Sequence, residues 1–178
     1  MSIAFAAMLS NAATVTWGVT GVTASPANAA DVGMVAYLMN GSSYTAFSAL
    51  LGGEFTKDDL TSFVTANKLY DGATQAVAGR FGSTINVSEV DGDYKAGDTV
   101  NAYLVLFDSK ALATSEYFAY TETQSATVGA AGAPITLSWG AFDTATGATG
   151  GWQAVPEPTS GLLMLVGLAG LALRRKRA

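Results

Sequence analysis

Thr99-Val100-Asn101-Ala102-Tyr103-Leu104-Val105-Leu106-Phe107 (TVNAYLVLF, residues 99–107) decides the fold. β-Branched and aromatic residues crowd it, Gly97-Asp98 marks a turn before it, and its length suits a strand better than a helix. It reads as the strongest strand of the chain and a central one.

Working outward, further β-type runs lie on both sides. Thr14 to Trp17 alternates, with Val15 and Trp17 on one face. Val32 to Met39 is almost wholly apolar and predicts a buried strand. Ser83 to Val90 alternates, with Ile85 and Val87 on one face; Glu116 to Thr121 and Ile135 to Trp139 complete the set. Asn40-Gly41, Asp71-Gly72, Asp91-Gly92, Gly97-Asp98 and the stretch from Gly129 to Pro134 supply turns between them. Thr-Trp-Gly around Trp17 is echoed by Ser-Trp-Gly around Trp139, which suggests that the first and last strands lie side by side; no longer internal repeat is present.

One region has a helical period. Between Ser43 and Leu69, Phe47, Leu50 and Leu51 share one segment, and Leu60, Phe63, Val64 and Asn67 follow at i, i+3, i+4 and i+7. Thr56-Lys57-Asp58-Asp59 has the spacing of a capping box, with Asp at its fourth position. Two short helices are predicted between early strands. The expected fold is therefore mainly β, an antiparallel β-sandwich or jelly-roll-like body with a small helical insert at about residues 43–69.

Composition narrows the chemistry. The chain has 178 residues, enough for one domain with a real core. Charged residues are 13%, against about 25% in typical globular chains. There is no Cys and no His. That excludes disulfides, Cys/His zinc sites and Ser-His or Cys-His nucleophile pairs. Four of the nine basic residues are Arg174, Arg175, Lys176 and Arg177, so the other five face 14 acidic residues and the rest of the chain carries −9. An acidic body is repelled by a phosphate backbone, so nucleic acid is not an expected partner.

Candidate sites are sparse. Glu89-Val90-Asp91-Gly92-Asp93-Tyr94-Lys95 is the densest acidic stretch. Asp91 and Asp93 are weak calcium-ligand candidates, because Lys95 stands where a calcium loop places a further oxygen ligand; a solvated hairpin turn is the simpler reading. Asp58 and Asp59 are adjacent, and helix neighbours do not face each other, so they make a poor acid–base pair and a good helix start. Trp17 and Trp139 read as core, and Trp152 is left open between core and ligand platform. No phosphate loop or S-x-x-K motif occurs. No catalytic residue and no cofactor is assigned.

The C-terminal stretch has a different logic. Pro156 and Pro158 hold the chain extended and stop any preceding strand. From Gly161 to Leu173 every residue is apolar or Gly, and Arg174 to Arg177 end the run with charge. As a helix the run rises about 20 Å, against a hydrocarbon core of about 30 Å. Length alone suits an apolar helix docked on the body. Three observations favour a membrane segment: the run has no polar face, the basic cluster fits a cytoplasmic flank, and its long side chains extend the span by snorkelling. That orientation puts residues 1–155 outside the cytoplasm.

Val155-Pro156-Glu157-Pro158, a short apolar helix and a basic cluster, in that order, resemble the PEP-CTERM sorting signal over residues 155–178. The resemblance implies an exosortase as partner, a membrane cysteine transpeptidase-like enzyme of Gram-negative bacteria. It also implies cutting near Pro-Glu-Pro and delivery to the cell surface or extracellular matrix. On it, Pro156, Glu157 and Pro158 are the recognition element, Gly161 to Leu173 the transient membrane helix, and Arg174, Arg175, Lys176 and Arg177 the stop-transfer cluster. An export signal is then expected at the N-terminus. Ile3 to Leu9 is apolar and Ser10-Asn11-Ala12 fits cleavage after Ala12. No Lys or Arg precedes the apolar stretch, so the expectation is a signal peptide truncated by an internal start.

The expected organisation is a signal remnant (1–12), a β body (13–143), a Gly/Thr-rich linker (144–154) and a sorting tail (155–178). Surface display would also make the linker threonines candidates for sugar attachment. The expected function is an exported, non-catalytic surface or matrix protein, structural or polysaccharide-associated. A carbohydrate-active enzyme with two carboxylates and a permanently anchored surface protein are the alternatives.

Overall fold

The computed structural model describes residues 14–20, 22, 25, 27, 33–74, 80–86, 97–129, 135–141 and 151–156. In chain order the elements are β1 (Thr14–Thr20), β2 (Val35–Asn40), α1 (Tyr44–Leu51), α2 (Lys57–Asn67), β3 (Lys68–Thr74), β4 (Arg80–Asn86), β5 (Thr99–Phe107), β6 (Tyr117–Tyr120), β7 (Gln124–Thr127), β8 (Ile135–Ala141) and β9 (Gln153–Ala154). The fold is mainly strand, with two short helices and no closed barrel among the described residues.

Three strands form one sheet in the order β4-β1-β8. The other sheet runs β3-β2-β5-β6-β9, with β7 also on β5. All pairings are antiparallel except β1 with β8, which is parallel, Trp17 lying opposite Leu137 and Val19 opposite Trp139. The Trp-Gly echo thus marks neighbouring strands, offset by two residues.

β5 is the centre, as its sequence requires. Residues 102–107 are buried without interruption because both faces are covered. Val100, Ala102, Leu104 and Leu106 pack with Ala36 and Leu38 of β2 against Val15, Trp17 and Val19 of β1 and Ile135, Leu137 and Trp139 of β8. Tyr103, Val105 and Phe107 alternate onto the opposite face. There they meet Val35 and Met39 of β2, Phe118 of β6 and the helices through Phe47, Leu60 and Val64. Phe47 is the hub of this layer, with ring centroids 5.6 Å from Phe63, 5.5 Å from Tyr103 and 5.3 Å from Tyr120.

The helices start where the sequence predicts. Asn40 Oδ1 accepts from the Ser42 N–H at 3.0 Å, opening a 3-10 turn that runs into α1. At α2 both halves of the capping box form. The Asp59 N–H donates to Thr56 Oγ1 at 3.2 Å, and Asp59 Oδ2 accepts from the Thr56 N–H at 2.9 Å. Gly41 crosses β5 so closely that a Cβ there would stand 2.6 Å from Asn101 Cβ and 2.7 Å from its carbonyl carbon. Only glycine fits.

Four stretches differ from the sequence expectation. The helical region ends at Asn67, and Lys68 enters β3 directly in an extended conformation. Asp71-Gly72 is no chain reversal: it lies inside β3, between the Ala36–Ala73 and Leu38–Tyr70 pairs, so two residues face the single Tyr37. This is a β-bulge, the other common use of glycine in a strand. A second bulge separates β6 from β7, where Thr121 to Thr123 face only Tyr103 and Leu104 of β5. Thr121 fills the break: its N–H donates to the Leu104 carbonyl at 3.0 Å and its Oγ1 accepts from the Leu104 N–H at 2.9 Å. Finally, Gln153 and Ala154, expected in a linker, form β9 on the β6 edge. The pairing gives their backbone groups ladder partners that a linker would leave to water.

Candidate functional site

The functional signals of the sequence converge on the segment that enters Pro-Glu-Pro. Gln153 pairs with Phe118 and Ala154 with Tyr117. Val155 extends the docking by one residue: its N–H donates to the Glu116 carbonyl at 2.8 Å, and its side chain, 5% exposed, joins the helix-side core. Trp152 is half-buried and packs on the core between the sheets, so its ring serves packing. Pro156 follows directly, half-buried. Lacking an N–H, it cannot prolong β9.

Glu116 is itself held. Its N–H donates to Asp108 Oδ1 at 3.1 Å, and the Asp108 N–H donates to the Tyr117 carbonyl at 3.2 Å. Asp108 is 6% exposed, and its carboxylate also accepts from Ser25 Oγ at 3.4 Å. A buried carboxylate at the end of β5 thus positions the start of β6, which carries β9. Sequence reasoning missed both Asp108 and the docking of Val155. The available signal was Asp108 closing an eight-residue apolar–polar run with no turn glycine beside it.

The other carboxylates with resolved partners are also structural. Glu122 accepts from the Tyr44 hydroxyl at 3.2 Å, and its backbone carbonyl accepts from Trp139 Nε1 at 2.9 Å. Burial, then the Glu122 charge, push the Tyr44 hydroxyl up to about 12. Burial pushes Tyr103 up to about 12, although the hydroxyl shares a 3.1 Å hydrogen bond with Ser43. The hydrogen bonds from Thr56 hold the Asp59 carboxyl below its ordinary value. Among the described residues no three acidic side chains gather where they could hold a metal. A shallow groove of about 280 Å³, lined by Asn40, Gly41, Ser42, Thr99, Asn101 and Thr123, is polar and uncharged.

Of the residues singled out in the sequence, Pro156 is placed as above. Ala12, Asp91, Asp93, Glu157, Pro158, Gly161, Leu173, Arg174, Arg175, Lys176 and Arg177 lie outside the described residues. No described helix is long and apolar enough to cross a membrane; the apolar run from Gly161 to Leu173 is outside that set.

A compact β body that delivers its chain into Pro-Glu-Pro, an apolar run and a basic cluster has the organisation of a protein carrying a C-terminal sorting signal. Residues 154–177 match the PEP-CTERM protein-sorting motif. The motif implies an exported protein processed by an exosortase and directed to the surface or beyond. No curated protein and no solved structure matches the chain.

Proposed function

We propose that this chain is the precursor of a cell-surface or extracellular-matrix protein whose body is a non-catalytic, sandwich-like β domain. The sorting tail crosses the membrane once, with Arg174 to Arg177 on the cytoplasmic side. It is held there until an exosortase recognises Pro156, Glu157 and Pro158 and releases the body. The match over residues 154–177 carries this reading.

The non-catalytic assignment is supported by the duties of the carboxylates: Asp59 caps a helix, Asp108 props a strand end and Glu122 ties a helix to a sheet. The uncharged polar groove at Asn40 and Asn101 suits the hydroxyls of a polysaccharide matrix better than an ionic ligand.

The test is the intact mass of the protein released from cells that carry an exosortase. Loss of the residues beyond Pro-Glu-Pro is expected, and Glu157→Ala is expected to block release while leaving the melting temperature of the body unchanged. A full-length C-terminus on the released protein would overturn the sorting reading, and full-length protein that stays in the membrane fraction would favour a permanent anchor instead.

A further inference from the structure

The match to the sorting motif begins at residue 154, but Ala154 and Val155 belong to the body. Their backbone groups are engaged by Tyr117 and Glu116, and the Val155 side chain is in the core. Enzymes that cut peptides take the chain extended and bond to its main chain, much as an added strand does. From Gln153 to Val155 the main chain is already paired in this way, and Trp152 before it is packed on the core. A cut there must wait for the strand to open, and its rate falls by the small fraction of molecules that are open.

We propose that the folded body sets the upstream limit of tail processing. With β9 docked, every peptide bond from 151 to 155 is closed to the processing enzyme. The bond broken lies C-terminal to Val155, and the mature protein keeps β9 as its last strand. One peptide bond is cleaved: the tail leaves with the new amino group, and the acyl carbon of the body passes to water or to an acceptor amine. This proposal rests on the sorting reading above.

The same docking selects the surface that meets the enzyme. Five residues, 156–160, separate Val155 from the start of the apolar run at Gly161. Fully extended they reach about 20 Å. The β6–β9 edge is therefore the part of the body brought against the membrane and whatever processes the tail there.

Two measurements test the proposal. In the first, the full chain in detergent micelles is digested briefly with proteinase K and the fragments are weighed. Cuts are expected beyond Val155 first, with the bonds from 151 to 155 surviving as long as the body does. Val155→Asp is expected to bring cuts into 151–155 at least tenfold sooner while near-ultraviolet circular dichroism still reports a folded body. If that variant unfolds, the milder Val155→Ala is expected to show the same shift to a smaller extent. Early cutting within 151–155 of the unaltered chain, or no shift in a folded variant, would overturn the proposal. In the second, the chain is co-expressed with an exosortase and the C-terminus of the released body is read by mass. An end at or beyond Val155 supports the limit, and an end before Val155 overturns it. No release at all overturns the sorting reading instead, and the digestion alone then decides whether the strand is closed.

Discussion

Trp139 on β8 donates its indole N–H to the backbone carbonyl of Glu122, 2.9 Å away in the bulge between β6 and β7. The bond joins the two sheets at an edge where no ladder connects them. Gln124 supports it by donating Nε2 to the Ser138 carbonyl at 2.7 Å. Trp17, by contrast, is 2% exposed and its Nε1 has no partner among the described residues. Trp139→Phe is expected to cost about 2 kcal/mol, from lost packing and a lost hydrogen bond. Trp17→Phe should cost less despite deeper burial, because it also removes a buried, unpaired donor, which itself costs about 1–3 kcal/mol. Urea denaturation of both variants measures the order, and a larger loss for Trp17→Phe would refute it.

Gly41→Ala should be among the most harmful single-atom-group changes in the chain. The added Cβ meets Asn101 backbone at 2.7 Å, where the β2–β5 ladder ends and β7 holds Asn101 from the other side, so backbone rather than a flexible side chain would have to yield. A loss of about 3 kcal/mol is expected. Gly97→Ala, at φ +94° with open space around the Cβ, should cost only the backbone strain of about 1–2 kcal/mol. Thermal melts of the pair compare a clash with a strain.

Alkaline unfolding should begin above pH 10. Tyr44 and Tyr103 each have a folded-state pKa raised from 10.0 to about 12. Between those values the unfolded chain releases protons that the folded chain keeps. The stability they contribute is complete below pH 10 and is lost as pH rises towards 12. Absorbance titration of the phenols should show two late-titrating groups, and Tyr103→Phe should remove one of them. Seven tyrosines titrating together near 10 in the folded protein would contradict this.

Thr56→Ala is expected to cost about 1 kcal/mol, since it removes the oxygen that accepts from the Asp59 N–H and a donor to the Asp59 carboxylate. Thr56→Ser should restore most of it. The Asp59 pKa is lowered in the fold, so the stability gained is present above the ordinary carboxylate range and fades as pH falls through the folded value. Denaturation at neutral and at acid pH should therefore show a smaller Thr56→Ala effect in acid.

What the sequence made legible was whatever a short window encodes. β5 announced itself through nine residues of strand-forming character, α2 through a capping box and apolar spacing, and the β1–β8 neighbourhood through two Trp-Gly echoes. The Pro-Glu-Pro tail was legible because its signal is a fixed order of chemically distinct parts. What escaped depends on partners. β7 reads QSAT and has no buried position to give a period. β3 follows α2 with no glycine stop, and its Asp-Gly is spent on a bulge. β9 is two residues long and exists because the β6 edge is free to receive it. Asp108 was hidden for the same reason: its role comes from the distant Ser25 and the returning Glu116, not from its neighbours.

The parallel pairing of β1 with β8 places Val15 beside Ile135. The three-stranded sheet therefore cannot close until 120 further residues have followed the first strand. Contacts of such long range fold slowly. A chain threaded N-terminus first through a narrow translocation channel could pair its leading strand with β4 once residues 80–86 had emerged, but would keep the β8 side of that strand open until almost the entire body had followed. Late arrival of β8 leaves the core between the sheets without Ile135, Leu137 and Trp139 until the end of the body is free, so the last layer to pack is the one farthest from the start of the chain.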